Sequence, residues 1–358
     1  MFVYIFIFLF SAVLFFQNKG RKVAMPFYVL LSLLILVAGL RDMIGGFDVY
    51  IYGEVFESSV DYIKLYPAFE IGYKTYYLLL KTINGDRHFM FFMTAAIMLS
   101  LHFFVIKKHS PIVYFSAFLL FCKFFLMSFV YLRQGFAMGI IWLSLPFILE
   151  RKYLKFFAMA FLAFLFHKSS VIFIPIYFIA TVKFKNLNMF LISIVALIIS
   201  VTPLSGIIIS ALAENADAKV GAYVERSGSV NIFYLIESAI LIYLMLKFRA
   251  DFYKSKVGTL MLNGLFAYII VNIMALTNAS FLRFGWYFLI FLFIALPYIY
   301  GYIQDPKMKS NFKLLTFIYY SFIFFRLLFV FDGGDFIPYK SIFQDFRRGG
   351  QWEFMEYR

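Results

Sequence analysis

Long apolar runs separated by short polar stretches make up most of the chain. Runs of about 20 apolar residues are long enough for a helix to cross a hydrocarbon core of roughly 30 Å. The pattern therefore predicts an all-α, polytopic integral membrane protein, with about 12 transmembrane helices in one transmembrane domain over residues 1–358. The predicted spans are 2–16, 26–40, 89–106, 111–129, 134–149, 156–166, 169–181, 189–211, 232–248, 257–276, 283–301 and 313–330.

Residues 41–88 are the one long polar excursion, and they follow the second predicted span. This loop is rich in acids, and directly after Glu70 we predict an amphipathic helix that runs to about Lys81. Two further polar stretches, 212–231 and the tail 331–358, are also predicted to be loops. A hydrophobic chain that keeps so long a polar loop is expected to need that loop for its function.

Composition agrees with a membrane protein, because 63% of the residues are hydrophobic and only 15% are charged, against roughly a quarter charged in soluble domains. Residues 2–16 lack the basic start and cleavage site of a signal peptide, so we interpret them as a retained first helix. Cys122 is the single cysteine, which excludes an intramolecular disulfide. Four scattered histidines predict no metal site and no cofactor.

The net charge of +14 is interpreted first as a report of topology, because cytoplasmic loops of membrane proteins are enriched in Lys and Arg. Nucleic acid is therefore not an expected partner. The loops 41–88, 212–231 and 331–358 and both termini are predicted to face outward. The short basic loops, predicted to be cytoplasmic, are 17–25, 107–110, 150–155, 182–188, 247–256 and 302–313.

No P-loop lysine signature, dinucleotide-binding fingerprint or H-E-x-x-H motif occurs in the chain. Nucleotide-driven work is therefore not expected. Because the cytoplasmic loops are short and basic, the chemistry is expected on the outer side of the membrane.

The first candidate site is the stretch GLRDMIGGFDVY at 39–50. Arg41 can bond phosphate or carboxylate with two parallel N–H groups, and Gly45-Gly46 would let backbone amides approach an anion. Asp42 and Asp48 stand beside it as substrate-binding candidates. The alternative is an interfacial charge and a turn, with Arg41 paired to one of these two aspartates.

The second group of candidates consists of Glu70 and the pair Arg133-Gln134 at the start of a predicted span. Glu70 could orient a sugar hydroxyl or act as a base, or could simply be solvated. Arg133 could bind substrate or could snorkel to the lipid headgroups. Polar groups at such depth tend to line cavities, which also includes Gln134.

The third group is the stretch FLFHKSS at 164–170, which interrupts what would otherwise be bilayer-spanning sequence. His167 titrates near neutrality and can move a proton, while Lys168 can bind phosphate as a point charge. Ser169 and Ser170 are interpreted as helix caps, and an ordinary hairpin tip is the alternative for the whole stretch. Arg283, at the start of a later span, is a further substrate-binding candidate.

In order along the chain, Arg41 and Asp48, then FEIGY at 69–73, RQGFA at 133–137 and FHKSS at 166–170 resemble the EpsG-type branch of the Wzy oligosaccharide repeat-unit polymerases. The motifs cover about residues 1–180, and hydropathy alone extends the resemblance further. Three positions depart from the usual pattern without removing a charge: Val49, Ile71 and Ser170.

The resemblance implies a GT-C-like fold and a glycosyltransferase of the bacterial cell (inner) membrane. Such an enzyme joins undecaprenyl-pyrophosphate-linked oligosaccharide units on the face turned to the periplasm or exterior, and makes capsule, O-antigen or exopolysaccharide. Its partners would be the lipid-linked donor and acceptor, the membrane and a chain-length regulator. The sugar composition and the linkage are not implied.

For the reaction, we expect Arg41, Arg133 and Arg283 to hold the pyrophosphate and stabilise its charge as it leaves, with Lys168 assisting. Either His167 or Glu70 would take the proton of the acceptor hydroxyl. The alternatives from other classes are a flippase or transporter of lipid-linked glycans and a ligase using the same lipid donor. A transporter predicts internal repeats and a central polar path, and neither is evident in the sequence.

Overall fold

The computed structural model describes residues 1–17, 24–202, 204, 230–277, 280–330 and 336–343. Within these ranges the chain is helical and contains no strand, only an isolated β-bridge between Arg41 and Ser341. The prediction of an all-α protein is confirmed for this part of the chain.

Eighteen α-helices are defined in the described residues, together with a π-helical turn at Phe121–Phe125 and a 3₁₀ helix at Lys168–Phe173. The first nine are α1 (Phe2–Phe16), α2 (Met25–Gly39), α3 (Phe47–Glu57), α4 (Val60–Leu65), α5 (Ile71–Lys81), α6 (Arg87–His109), α7 (Val113–Leu120), α8 (Met127–Val130) and α9 (Leu132–Trp142). The others are α10 (Leu145–Leu149), α11 (Tyr153–Phe166), α12 (Pro175–Ile179), α13 (Asn186–Val201), α14 (Ile232–Phe252), α15 (Lys256–Met274), α16 (Ser280–Trp286), α17 (Leu289–Tyr302) and α18 (Pro306–Val330).

Each predicted span coincides with helical structure where its residues are described, but only four stretches among the described residues are long and apolar enough to cross a membrane by themselves. They are Arg87–His109, Leu132–Leu149, Lys256–Met274 and Pro306–Val330. Shorter apolar helices, such as α1 and α2, have 15 residues each, which gives about 22 Å of helix against a core of roughly 30 Å. The number of twelve crossings therefore stays a prediction.

The chain divides into two compact units. The first contains Met1–Leu143, Phe161–Lys168 and Ile303–Arg358, and the second contains Ser144–Ala160 and Ser169–Tyr302. The division falls inside α11 and again directly after Lys168. Each unit is described by itself.

In the first unit, the polar loop 41–88 folds into α3, α4 and α5 and is largely helical rather than irregular. Gly45 and Gly46 have φ values of +119° and +83°, which glycine adopts without the penalty of a side chain. Directly after this turn, α3 begins with Asp48 in its first turn, where a negative charge stabilises the helix dipole.

The segment after Glu70, predicted to be amphipathic as far as about Lys81, forms α5. Its buried face consists of Tyr73, Tyr76, Tyr77 and Leu80, which is the i, i+3, i+4, i+7 spacing of one helix face. Glu70 occupies the N-cap position of this helix. Glu70 therefore lies directly before the helix, at the point where α5 begins.

Helices α6 and α9 pack closely because α9 carries glycines at its contact face. A Cβ atom at Gly139 would lie only 3.0 Å from Cβ of Leu101. His102 Nε2 lies 2.9 Å from the carbonyl oxygen of Gly135, within hydrogen-bonding distance. The N-terminal end of α9, which carries Arg133, is therefore fixed against a long helix.

Residues 336–343 lie against the end of α2 and form what we call the C-terminal strap. Tyr339 Oη donates to the carbonyl oxygen of Val37 at 2.9 Å. The backbone N–H of Asp42 donates to Lys340 at 2.9 Å. The strap is all that the structure describes of the predicted tail 331–358, and residues 212–229 of the other predicted loop lie outside the described residues.

The second unit is built around α15. Gly264 of this helix lies against the Phe291 ring of α17 with no room for a side chain. Asn263 Nδ2 donates to the carbonyl oxygens of Ile179 and Val182, at 2.6 and 2.8 Å. These bonds join α15 to the end of α12 and to the turn that follows it.

Candidate functional site

In the first unit, Glu70 lies at the centre of a polar cluster that we call the Glu70 cluster, with Arg133, His167 and Lys168. Glu70 Oε2 accepts a hydrogen bond from Arg133 Nη1 at 2.6 Å. Glu70 Oε1 lies 3.0 Å from His167 Nδ1 and accepts from the backbone N–H of Lys168 at 3.2 Å. Three segments that are far apart in sequence, around residues 70, 133 and 167, thus meet at the carboxylate of Glu70.

Close packing between helices brings these side chains together. A Cβ atom at Gly72, in the first turn of α5, would lie 2.7 Å from the carbonyl oxygen of Leu165 in α11. The rings of Phe136 in α9 and Phe166 in α11 stack with centroids 5.3 Å apart and an interplanar angle of 9°. The start of α5, the start of α9 and the end of α11 therefore converge on the Glu70 cluster.

The Arg133 guanidinium makes further contacts with the loop before α5. Nη1 also donates to the carbonyl oxygen of Ala68 at 2.5 Å, and Nε donates to Tyr52 Oη at 3.3 Å. The guanidinium carbon lies 4.9 Å from the centroid of the Phe69 ring. Within the described part of the chain, Nη2 has no hydrogen-bond partner, and the side chain is 19% exposed. Arg133 is therefore oriented by protein and still has N–H groups to offer to a ligand.

Glu70 is held in its charged form. Burial alone would raise the pKa of Glu70, but the hydrogen bond with His167 and the positive charge of Arg133 lower it from 4.5 to about 2. A carboxylate with so low a pKa is a weak base near neutral pH. Its geometry suits it instead to orient other groups.

His167 is the group that Glu70 orients. An ionised carboxylate only accepts hydrogen bonds, so His167 Nδ1 carries the proton that points at Glu70. In neutral imidazole, Nε2 is then the nitrogen with the lone pair. With its side chain 25% exposed, His167 can accept a proton at Nε2 while Glu70 stabilises the imidazolium that forms.

Lys168, a member of the Glu70 cluster, and Gln134, which follows Arg133 in the chain, differ in exposure. The side chain of Lys168 is exposed, while its backbone N–H is fixed on Glu70. Gln134 is 3% exposed and belongs to the buried face of α9. Of these two substrate-binding candidates, only Lys168 has an exposed side chain, and the role of both stays a prediction.

Arg41 has the partners of a structural anchor, not of a phosphate ligand. Its side chain is fully buried, and it donates to the carbonyl oxygens of Ala38, Ile44 and Phe129. Burial lowers the pKa of Arg41 to about 10, so it stays charged at neutral pH. Its donors bond backbone carbonyl groups inside the protein, which favours a structural role, and its assignment to substrate binding stays a prediction.

The other predicted binding residues lie elsewhere. Asp42 Oδ1 lies 3.0 Å from His88 Nε2, which joins the end of α2 to the start of α6. Asp48 lies in the first turn of α3. Arg283 lies in α16 of the second unit, and Ser169 of that unit bonds Tyr287 Oη at 3.0 Å. Their assignment to substrate binding stays a prediction.

Sequence analysis missed the residues other than Glu70 that contact the Arg133 guanidinium. Tyr52, Phe69 and the Ala68 carbonyl were not among the candidate site residues. Phe69 directly precedes Glu70 in the FEIGY stretch, which is the one signal that could have drawn attention to it. Burial raises the pKa of Tyr52, so its hydroxyl stays protonated beside Arg133.

A family model described as the EpsG family matches residues 24–341. The chain belongs to the EpsG family. The matched range includes all four members of the Glu70 cluster. No curated protein and no solved structure matches the chain. Membership and the apolar helices together indicate an EpsG-family membrane protein with a polymerase-type role in polysaccharide biosynthesis.

Proposed function

We propose that this EpsG-family protein is a glycosyltransferase that joins undecaprenyl-pyrophosphate-linked oligosaccharide units into a polymer on the outer face of the cell membrane. The observation that carries the proposal is the Glu70 carboxylate, which binds His167 on one oxygen and Arg133 on the other. The arrangement supplies a base and a cation to one reacting centre.

In the proposed reaction, a hydroxyl oxygen of the acceptor unit attacks the anomeric carbon of the donor sugar. His167 Nε2 takes the hydroxyl proton, and the bond between the anomeric carbon and the pyrophosphate oxygen breaks. Arg133 binds the departing pyrophosphate and stabilises its growing negative charge, with Lys168 as a second cation. Glu70 keeps His167 in the tautomer that can accept the proton. Glu70 is thus a positioning residue.

The outer-face assignment is supported by the distribution of charge. The segment that carries Glu70 is rich in acids, whereas the short loops of the alternate set are basic, as cytoplasmic loops are. A donor whose lipid anchor stays in the bilayer presents its pyrophosphate at headgroup level, where a cation at the start of a membrane helix can reach it.

The proposal is tested in a strain that lacks the protein, by extracting its lipid-linked glycans and measuring their size. We expect single repeat units to accumulate on the outer face, and polymer to return with the intact protein but not with Arg133→Ala. Arg87→Ala is the matched control, because Arg87 also pairs with a carboxylate, Glu57, at 2.5 Å and its side chain is 17% exposed.

Other results would point to other functions. Units trapped on the cytoplasmic face would indicate a flippase, and long polymer still attached to its lipid would indicate a ligase. Normal polymer from Arg133→Ala, with wild-type amounts of protein in the membrane, would overturn the assignment of Arg133.

A further inference from the structure

A row of aromatic rings leads from the Arg133 guanidinium to the protein surface. The Phe69 ring lies 4.9 Å from the guanidinium carbon. The centroid of the Tyr66 ring lies 4.9 Å from that of Phe69, at an interplanar angle of 70°. The Tyr62 ring follows, 5.7 Å from Tyr66. The rings thus connect the Glu70 cluster with α4.

Exposure increases along this row. Phe69 is 4% exposed, Tyr66 is half-buried and Tyr62 is 47% exposed. The outer two rings therefore have free surface, while the innermost ring is covered. Tyr66 lies within about 10 Å of the Arg133 guanidinium, since the two inner distances cannot add up to more than that.

The backbone that carries the outer rings is fixed. Ser59 caps α4 by accepting a hydrogen bond from the Tyr62 N–H at 3.2 Å. Ile63, between the two tyrosines, is fully buried. Lys74 Nζ of α5 donates to the carbonyl oxygen of Lys64 at 2.8 Å. Little conformational entropy would therefore be lost when a ligand binds to these rings.

We propose that Tyr62 and Tyr66 form a sugar-binding subsite of the Glu70 cluster. The proposal rests on the proposed function, because it assigns the occupant as a sugar ring of the lipid-linked unit whose pyrophosphate binds Arg133. Sugar rings have an apolar face of C–H groups that packs on an aromatic face, and a polar edge that bonds hydroxyl groups. A tyrosine ring offers both kinds of contact.

Continuity with the Glu70 cluster favours this occupant over the headgroup region of the membrane. The rival explanation is that α4 lies in the interface, since Leu65 on the same helix is 79% exposed. The two explanations require different properties of position 66. A sugar needs the flat ring, which phenylalanine keeps, whereas contact with lipid needs apolar surface, which leucine also supplies.

The test measures polymerisation by the purified, reconstituted protein as a function of the concentration of lipid-linked units extracted from the deletion strain. We expect Tyr66→Leu to raise the half-saturating concentration roughly threefold to tenfold, as loss of one aromatic contact predicts. Tyr66→Phe should stay near wild type. Tyr62→Leu should have the same direction with a smaller effect, and because Tyr62 is exposed this variant is expected to fold.

Leu65→Ser is the control for membrane contact and should leave the half-saturating concentration unchanged. Wild-type behaviour of both Tyr66→Leu and Tyr62→Leu would overturn the subsite, and so would equal effects of Leu65→Ser and Tyr66→Leu. If either of these results is obtained while Arg133→Ala abolishes polymer in the same assay, the subsite is ruled out and the proposed function is retained. If Arg133→Ala makes normal polymer, the proposed function fails.

Discussion

Arg41 and Arg133 are the same residue type, and the sequence predicted the same role for both. Arg41 is fully buried and donates to three backbone carbonyl oxygens. Arg133 is partly exposed and bonds a carboxylate, a carbonyl oxygen and a phenol. The aromatic contacts do not separate them, because each guanidinium also lies on a ring, Phe91 for Arg41 and Phe69 for Arg133.

The two residues are both arginines, so their hydrogen-bond partners are what distinguish the structural role of Arg41 from the ligand-binding role that we propose for Arg133. Three neutral carbonyl oxygens leave Arg41 no donor directed at solvent, and they fix the chain. A carboxylate that also bonds His167 places Arg133 beside a group able to move a proton. The following changes test that distinction, from the largest expected effect to the smallest.

Arg133→Lys is expected to lower polymerisation by at least about a hundredfold. A single ammonium group cannot bond Glu70 and Ala68 and still present a planar pair of N–H groups to a phosphate. The measurement is polymer formed per molecule of protein in the membrane. Activity within a few-fold of wild type would show that Arg133 acts only as a charge.

Glu70→Gln keeps the size of the side chain and should lower the rate roughly tenfold to a hundredfold, since base catalysis contributes about a hundredfold or more. The amide no longer stabilises a charged imidazolium on His167. The half-saturating substrate concentration should change less than the maximal rate. Glu57→Gln, which likewise neutralises a carboxylate paired with an arginine, Arg87, is the control and should retain the rate.

The stability of the protein at acid pH should depend on the charge of the Glu70 carboxylate. Because the pKa of folded Glu70 is lowered to about 2 from 4.5, its stabilising contribution is complete above pH 4.5 and is lost as the pH falls toward 2. The difference in unfolding temperature between wild type and Glu70→Gln should therefore narrow over that interval. A constant difference would contradict the ion-paired state of Glu70.

Arg41→Lys should have the smallest effect on the chemistry. Lysine cannot reach all three carbonyl oxygens, and buried acceptors left unpaired cost about 1–3 kcal/mol each. We expect the unfolding temperature to fall by about 5 °C, with activity per folded molecule within about twofold of wild type. Loss of activity at unchanged stability would return Arg41 to the list of phosphate ligands.

The apolar runs were sufficient to locate the helices, because twenty apolar residues in a row have few other solutions in a bilayer. They could not locate the breaks inside a run. The π-helical turn at Phe121–Phe125 lies inside such a run, where only Lys123 is polar, whereas the polar stretch at 164–170 did mark the start of the 3₁₀ helix at Lys168–Phe173. The helices α3 and α4 were also missed, since acids and serines masked their short apolar faces.

The Glu70 cluster was predicted as separate candidates, and the order of motifs suggested that they belong together. The sequence alone could not indicate which residue of the cluster has which role. Glu70 and His167 remained alternative bases until their contact and the low pKa of Glu70 separated them. The burial of Arg41 was not predicted, because an arginine that ends an apolar run is typical both of an interfacial charge and of a buried anchor.

The C-terminal strap has a consequence for how the protein is made. Ser341 bridges Arg41 from 300 positions further along the chain. A ribosome that adds about 5–20 residues per second reaches the strap roughly 15–60 s after it has made Arg41. During that interval the backbone groups of Leu40 and Asp42 lack the partners that Ile342 and Lys340 later supply. A nascent chain that stops short of residue 339 would thus leave this end of the first unit open to quality-control proteases.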